Sequence, residues 1–158
     1  MTNLDENLQS PHKNLASFVC GMLPFWDNTQ VRFSSRGPMD FKKQYSDILN
    51  LDSSIRYAAI QHNTGVKIAG GFRSDITPIL SDEELQMMHY YTSQRWQTRK
   101  NIEHKIGPAK YALAEYNKIK RITFPIDEKH LLTITTEIDA DHSNIIKKTL
   151  ELLYNSKQ

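Results

Sequence analysis

From Asp40 to the C-terminus the sequence alternates its hydrophobic period in one order: short helix, hairpin, long capped helix, three strands, closing helix. Strands joined by short turns pair antiparallel, and helices between them must cover the faces of the resulting sheet. The order α-β-β-α-β-β-β-α therefore predicts an α+β domain with a five-stranded antiparallel sheet flanked by helices.

The boundaries follow from local chemistry. Asp40 is a good N-cap, and Phe41, Tyr45, Ile48 and Leu49 recur at helical spacing over about ten residues. Ile55 to Gln61 reads as a strand, Asn63-Thr64-Gly65 tolerates positive φ, and Val66 to Phe72 returns as its partner. The Gly70-Gly71 pair bends that strand or admits a close backbone. Ser81 with Glu84 forms a capping box, and Gly107-Pro108 is a stop signal, so one helix of about 25 residues is expected between them. Tyr111–Tyr116, Ile119–Ile126 and Leu131–Ile138 read as strands, with Pro125 near a strand end. Asp139 or Asp141 then caps a helix with an apolar face of Ile145, Ile146, Thr149, Leu150 and Leu153.

Residues 1–38 have no sustained period and end in Ser34-Ser35-Arg36-Gly37-Pro38. They are expected to be an extension, largely disordered or loosely docked through Phe18, Met22, Phe25 and Trp26, ahead of a single domain over 39–158. The apolar stretch from Leu15 to Trp26 is too short to span a bilayer and lacks the basic lead-in of a secretory signal. Cys20, the one cysteine of the chain, leaves no internal disulfide and fits a reducing cytoplasm, so a cytoplasmic protein without membrane association is expected.

The long helix carries one anomaly. Leu85, Met88, Thr92, Trp96, Ile102 and Ile106 form a stripe suited to the sheet, with Arg99 in its middle and Glu103 one turn on as the natural ion-pair partner. Either the second half of the helix overhangs the sheet or pairs its arginines internally, or Arg95, Trp96, Arg99, Lys100 and His104 form a surface for a partner or an anion. Arg95 to Arg121 holds eight basic and two acidic residues, a local balance of +6 within a chain whose net charge is only +2. That strip suits an acidic protein surface better than nucleic acid, for which no motif is present.

Chemistry-bearing constellations are sparse. Glu137 with Asp139-Ala140-Asp141-His142 resembles no ligand set and does the ordinary work of starting a helix, so no metal is expected. His62, His89, His104 and His130 lie on four separate elements. No nucleophile elbow and no phosphate-cradling glycine loop occurs, so neither catalysis nor a cofactor is expected.

Ile55-Arg56-Tyr57-Ala58-Ala59-Ile60, with Gly65 and Ile68-Ala69-Gly70-Gly71, resembles the opening hairpin of an uncharacterised archaeal family of small roadblock/LC7-like domains. Gly107 to Leu113 and Thr135 to His142 are also similar to segments of that family, and the resemblance covers about residues 39–154. It implies a profilin/longin-like fold and a non-enzymatic homodimeric adaptor or regulatory domain serving a small GTPase or another acidic signalling partner. It also implies a dimer edge along the strand that starts at Lys110, with Tyr111, Leu113 and Glu115 on it. Two other functions compete: a PAS- or profilin-like sensor holding a small anion or metabolite between sheet and long helix, and nucleic acid binding through the basic strip.

Overall fold

The structure is a computed structural model and describes residues 40–155. The extension expected over residues 1–38, its apolar clip and Cys20 lie outside them. The elements are α1 (Phe41–Leu49), β1 (Ile55–His62), β2 (Lys67–Phe72), α2 (Asp82–Lys100), α3 (Glu103–Ile106), β3 (Ala112–Glu115), β4 (Ile119–Pro125), β5 (His130–Glu137) and α4 (His142–Asn155). The five strands form one antiparallel sheet, as the sequence predicts, and their order in it is β2-β1-β5-β4-β3.

The caps read from the sequence hold. Asp40 accepts from the backbone N–H groups of Lys42 and Lys43, each at 3.1 Å, and starts α1. Ser81 and Glu84 close a reciprocal capping box on α2. At α4 the choice between two aspartates resolves to Asp141, whose Oδ1 accepts from the N–H of Asn144 at 3.1 Å. The acidic cluster before α4 is thus a helix start.

Strand alternation sorts the sheet into two unlike faces. Ala58 and Ile60 of β1, Ile122 and Phe124 of β4, and Leu132 and Ile134 of β5 point to one side, where Ile48 of α1 and Ile145, Ile146 and Leu153 of α4 complete an apolar core. Burial of these side chains, at roughly 1.5–3 kcal/mol each, is the main stabilising term. The other face meets α2 through Tyr57, Gln61 and Arg121. Covering a sheet face with polar side chains requires that nearly every one find a partner, which explains the buried network described below.

The single helix of about 25 residues is not what forms. α2 ends at Lys100, the chain passes through Asn101 and Ile102, and α3 adds one further turn before Gly107. Ile102 and Ile106, expected on the buried stripe, are 51% and 76% exposed, so the end of the apolar stripe buries nothing. A helix without a buried face gains too little to persist against the entropy of ordering it.

Glycines set how closely the elements approach. Gly65, at φ +93°, lies at the turn between β1 and β2, where a Cβ would come within 2.7 Å of the Tyr90 Cα of α2. Gly70, at φ +130°, faces Ala59 across the ladder, and a Cβ there would fall 2.4 Å from the Ala59 Cα. Close strand approach, not ligand approach, accounts for this member of the glycine pair.

Candidate functional site

The hydrogen-bonded network between α2 and the sheet draws on three elements, β1, α2 and β4. Gln61 of β1 donates from Nε2 to the His89 carbonyl at 2.9 Å and to Ser93 Oγ at 2.8 Å, while its Oε1 accepts from His89 Nδ1. With both amide protons of Gln61 committed to acceptors, Oε1 must accept, which assigns the His89 proton to Nδ1. Nε2 then carries the lone pair and accepts from the Tyr57 hydroxyl at 2.8 Å. A neutral imidazole satisfies this arrangement completely.

Burial sets the titration of both partners. His89, 2% exposed, has its pKa pushed down to about 4 by burial, with the positive charges of Arg121 and Lys67 adding to the effect. Burial pushes the Tyr57 hydroxyl up to about 12 despite the opposing field of Arg121. The pair is locked neutral across the physiological range, as a structural network rather than a proton-transfer pair would be.

Arg121 of β4 departs from this satisfaction, as does the buried Thr133 hydroxyl of β5 on the same face. Arg121 is 5% exposed, yet Nη2 makes one 3.2 Å hydrogen bond to Thr92 Oγ1, and the buried Nε has no partner. Among the described residues the ion pairs are Arg56–Glu137 and His130–Asp127, so no carboxylate neutralises it. Two concavities adjoin Arg121. One, of about 640 Å³, lies beside the N-terminal half of α2 and is walled mostly by apolar side chains. The other, of about 280 Å³, runs between α2 and β3.

The residues singled out on the long helix divide. Arg95, Trp96 and Arg99 line the smaller groove together with Ala112, Leu113 and Ala114 of β3. Arg99 donates to the Arg95 carbonyl at 3.0 Å and lies 5.7 Å over the Trp96 ring, a cation–π contact. The expected Arg99–Glu103 ion pair is absent, because the chain turns at Asn101 and Ile102 and Glu103 no longer sits one helical turn on. Lys100 instead donates to the Glu128 carbonyl at 3.3 Å, and His104 lies on exposed α3, so neither lines that groove.

The basic strip is not one surface. Lys120 is buried toward α4, donating to the Ala140 carbonyl at 3.0 Å, while Arg121 is buried toward α2. Two of the eight cations thus point to opposite faces of the sheet. Among the described residues no group of three or more His, Cys, Asp or Glu side chains is placed to hold a metal ion. Nor is any helix there long and apolar enough to cross a membrane.

β3 forms one rim of the sheet, and among the described residues no strand pairs with its second edge. It is four residues long, so Lys110 and Tyr111 precede it and Leu113 and Glu115 lie on it. Leu113 is 38% exposed, and Tyr111 and Tyr116 flank it with comparable exposure. Tyr91 and Met87 on α2 are also exposed apolar side chains.

Sheet order, helix placement and the open β3 rim define a domain of roadblock/LC7 fold. A roadblock/LC7 domain from Streptomyces avermitilis matches with a TM-score of 0.60 at 11% identity, over 75% of this chain and 96% of that one. The gliding protein MglB from Thermus thermophilus matches with a TM-score of 0.58 at 14% identity, over 72% and 84% respectively. MglB from Myxococcus xanthus gives 0.57 at 11% identity, over 75% and 97%. At these identities the likeness concerns fold alone. The chain belongs to a family of unknown function, DUF6659, whose model matches residues 39–155. No curated protein matches it by sequence.

His89, Ser93 and Arg121 are the functional-face residues that sequence reasoning missed. The periodicity of α2 places Thr92 and Trp96 inward, but polar His89 and Ser93 beside them do not register on an apolar stripe. Strand alternation carries the one usable signal for Arg121, since it shares a face with Thr123 and opposes Ile122.

Proposed function

We propose that this chain is a non-enzymatic, cytoplasmic adaptor or regulatory domain that works as a homodimer paired along β3. The observation that carries the reading is the rim strand: among the described residues β3 pairs with β4 alone, with Tyr111, Leu113 and Tyr116 half-exposed around it. Exposed edges invite pairing with another strand, and a twofold axis lets one edge meet its own copy. One structure of MglB, of the same fold, is described as having a tetrameric arrangement, which supports self-association as a habit of the fold.

Lys110, Tyr111, Leu113 and Glu115 form the pairing edge in this reading. The neighbouring groove of Arg95, Trp96 and Arg99, with Lys100 and His104 further along, presents cations and an aromatic ring to an acidic protein surface, such as that of a small GTPase. Light scattering of the full chain at micromolar concentration is the test, and a dimer is expected. Leu113→Asp sets two like charges against each other across the axis and yields a monomer with unchanged far-ultraviolet circular dichroism. A parent chain that remains monomeric, or a dimer indifferent to Leu113→Asp, overturns the reading.

A further inference from the structure

Buried arginine side chains are ordinarily matched by a carboxylate or by several acceptors, because an uncompensated buried charge is strongly destabilising. Arg121 is matched by one threonine hydroxyl. It also borders the larger concavity, whose walls include Phe72, Leu80, Leu85 and Met88. Of the other basic side chains there, Arg56 is already engaged by Glu137 at 2.5 Å, and Lys118 is exposed on the β3–β4 turn. Glu115 lines the same space without forming an ion pair. The walls are thus mostly apolar, with one buried and unneutralised cation among them and a carboxylate that disfavours polyanions.

We propose that this groove binds an amphipathic monocarboxylate, its apolar body between α2 and the sheet and its carboxylate on Arg121. The guanidinium offers a planar set of N–H donors that matches two carboxylate oxygens, and binding there supplies the missing counter-charge. A volume of about 640 Å³ lies within the range of small-molecule sites, and an apolar lining with few polar anchors is their usual character. The site lies within one chain and stands whether or not two copies pair along β3.

Decanoate and the uncharged decanol, added to the full chain, test it. Isothermal titration is expected to show decanoate binding at least about tenfold more tightly than decanol, because only the acid engages the guanidinium. In ¹H–¹⁵N spectra, decanoate shifts the Arg121 Nε–Hε resonance and decanol leaves it in place. Arg121→Gln removes the preference for the acid, and Arg121→Lys retains part of it. Should Arg121→Gln fail to fold, Ile79→Glu at the half-exposed rim of the groove sets a like charge at its mouth and weakens decanoate by about tenfold or more. Equal binding of acid and alcohol, no binding of decanoate by about 1 mM, or undiminished binding in these variants overturns the assignment. So does an Nε–Hε shift that follows protein concentration alone, which would identify a second copy as the occupant.

Discussion

The Tyr57 hydroxyl and His89 Nε2 lie 2.8 Å apart in the buried layer between β1 and α2, the hydroxyl donating to an imidazole that burial keeps neutral. An unfolded histidine titrates near 6.5, whereas His89 in the fold titrates near 4. Between those values the unfolded chain binds more protons, so stability rises with pH across the window. The contribution is fully present above about pH 6.5 and is lost as the pH falls toward 4, amounting to about 3 kcal/mol over the whole interval. Urea denaturation between pH 7 and pH 4 measures it, and His89→Gln flattens that dependence.

Gln61 holds the imidazole from the other side, which makes its own chemistry a control on His89. Gln61→Leu keeps the volume but leaves the His89 Nδ1–H without its acceptor and removes the donor to Ser93 Oγ, at an expected cost of about 2–3 kcal/mol in denaturant unfolding. Gln61→Glu does something different. A carboxylate beside Nδ1 favours the imidazolium and raises the His89 pKa, and a histidine proton resonance followed against pH reports the shift.

The legibility of this chain divides along the same sheet. The face toward α1 and α4 is ordinary in kind, so Ala58, Ile60, Ile122 and Ile134 stand out as alternating apolar positions, and Asp40 and Ser81 mark helix starts by their capping chemistry. The face toward α2 inverts the usual code. Gln61, His89, Ser93 and Arg121 are buried there, and no single-position rule distinguishes a satisfied buried amide from a solvated one. The break at Asn101 and Ile102 left no glycine or proline to read. It coincides with the loss of burial at Ile102 and Ile106, a tertiary fact that helix periodicity does not carry.

Gly65 fixes the distance over which this network closes. Alanine at φ +93° is strained, and its methyl group would meet the Tyr90 backbone at 2.7 Å, one residue from His89. Relieving that clash moves α2 away from β1 and stretches the hydrogen bonds of Gln61. Gly65→Ala is expected to cost about 2 kcal/mol or more, with the midpoint read from urea unfolding. Because α2 shifts, the same variant lets His89 titrate closer to 6.5, which distinguishes displacement from simple backbone strain.

Arg73, just past β2, ties α1 to the sheet through the backbone alone. Its Nε donates to the Ile55 carbonyl at 3.0 Å, and Nη2 donates to the carbonyls of Leu49 at 2.5 Å and Asp52 at 2.8 Å. Leu49 ends α1, where carbonyls lack intrahelical partners and the helix dipole favours a cation. One guanidinium therefore closes the α1 terminus, the turn after it and the first residue of β1. Arg73→Ala releases three part-buried acceptors and is expected to destabilise by about 2–4 kcal/mol in denaturant unfolding. Arg73→Lys recovers only a fraction, since an ammonium reaches one or two of these carbonyls but lacks the planar fork that spans all three. Full recovery by lysine would show that charge at the α1 terminus, and not the fork, supplies the stabilisation.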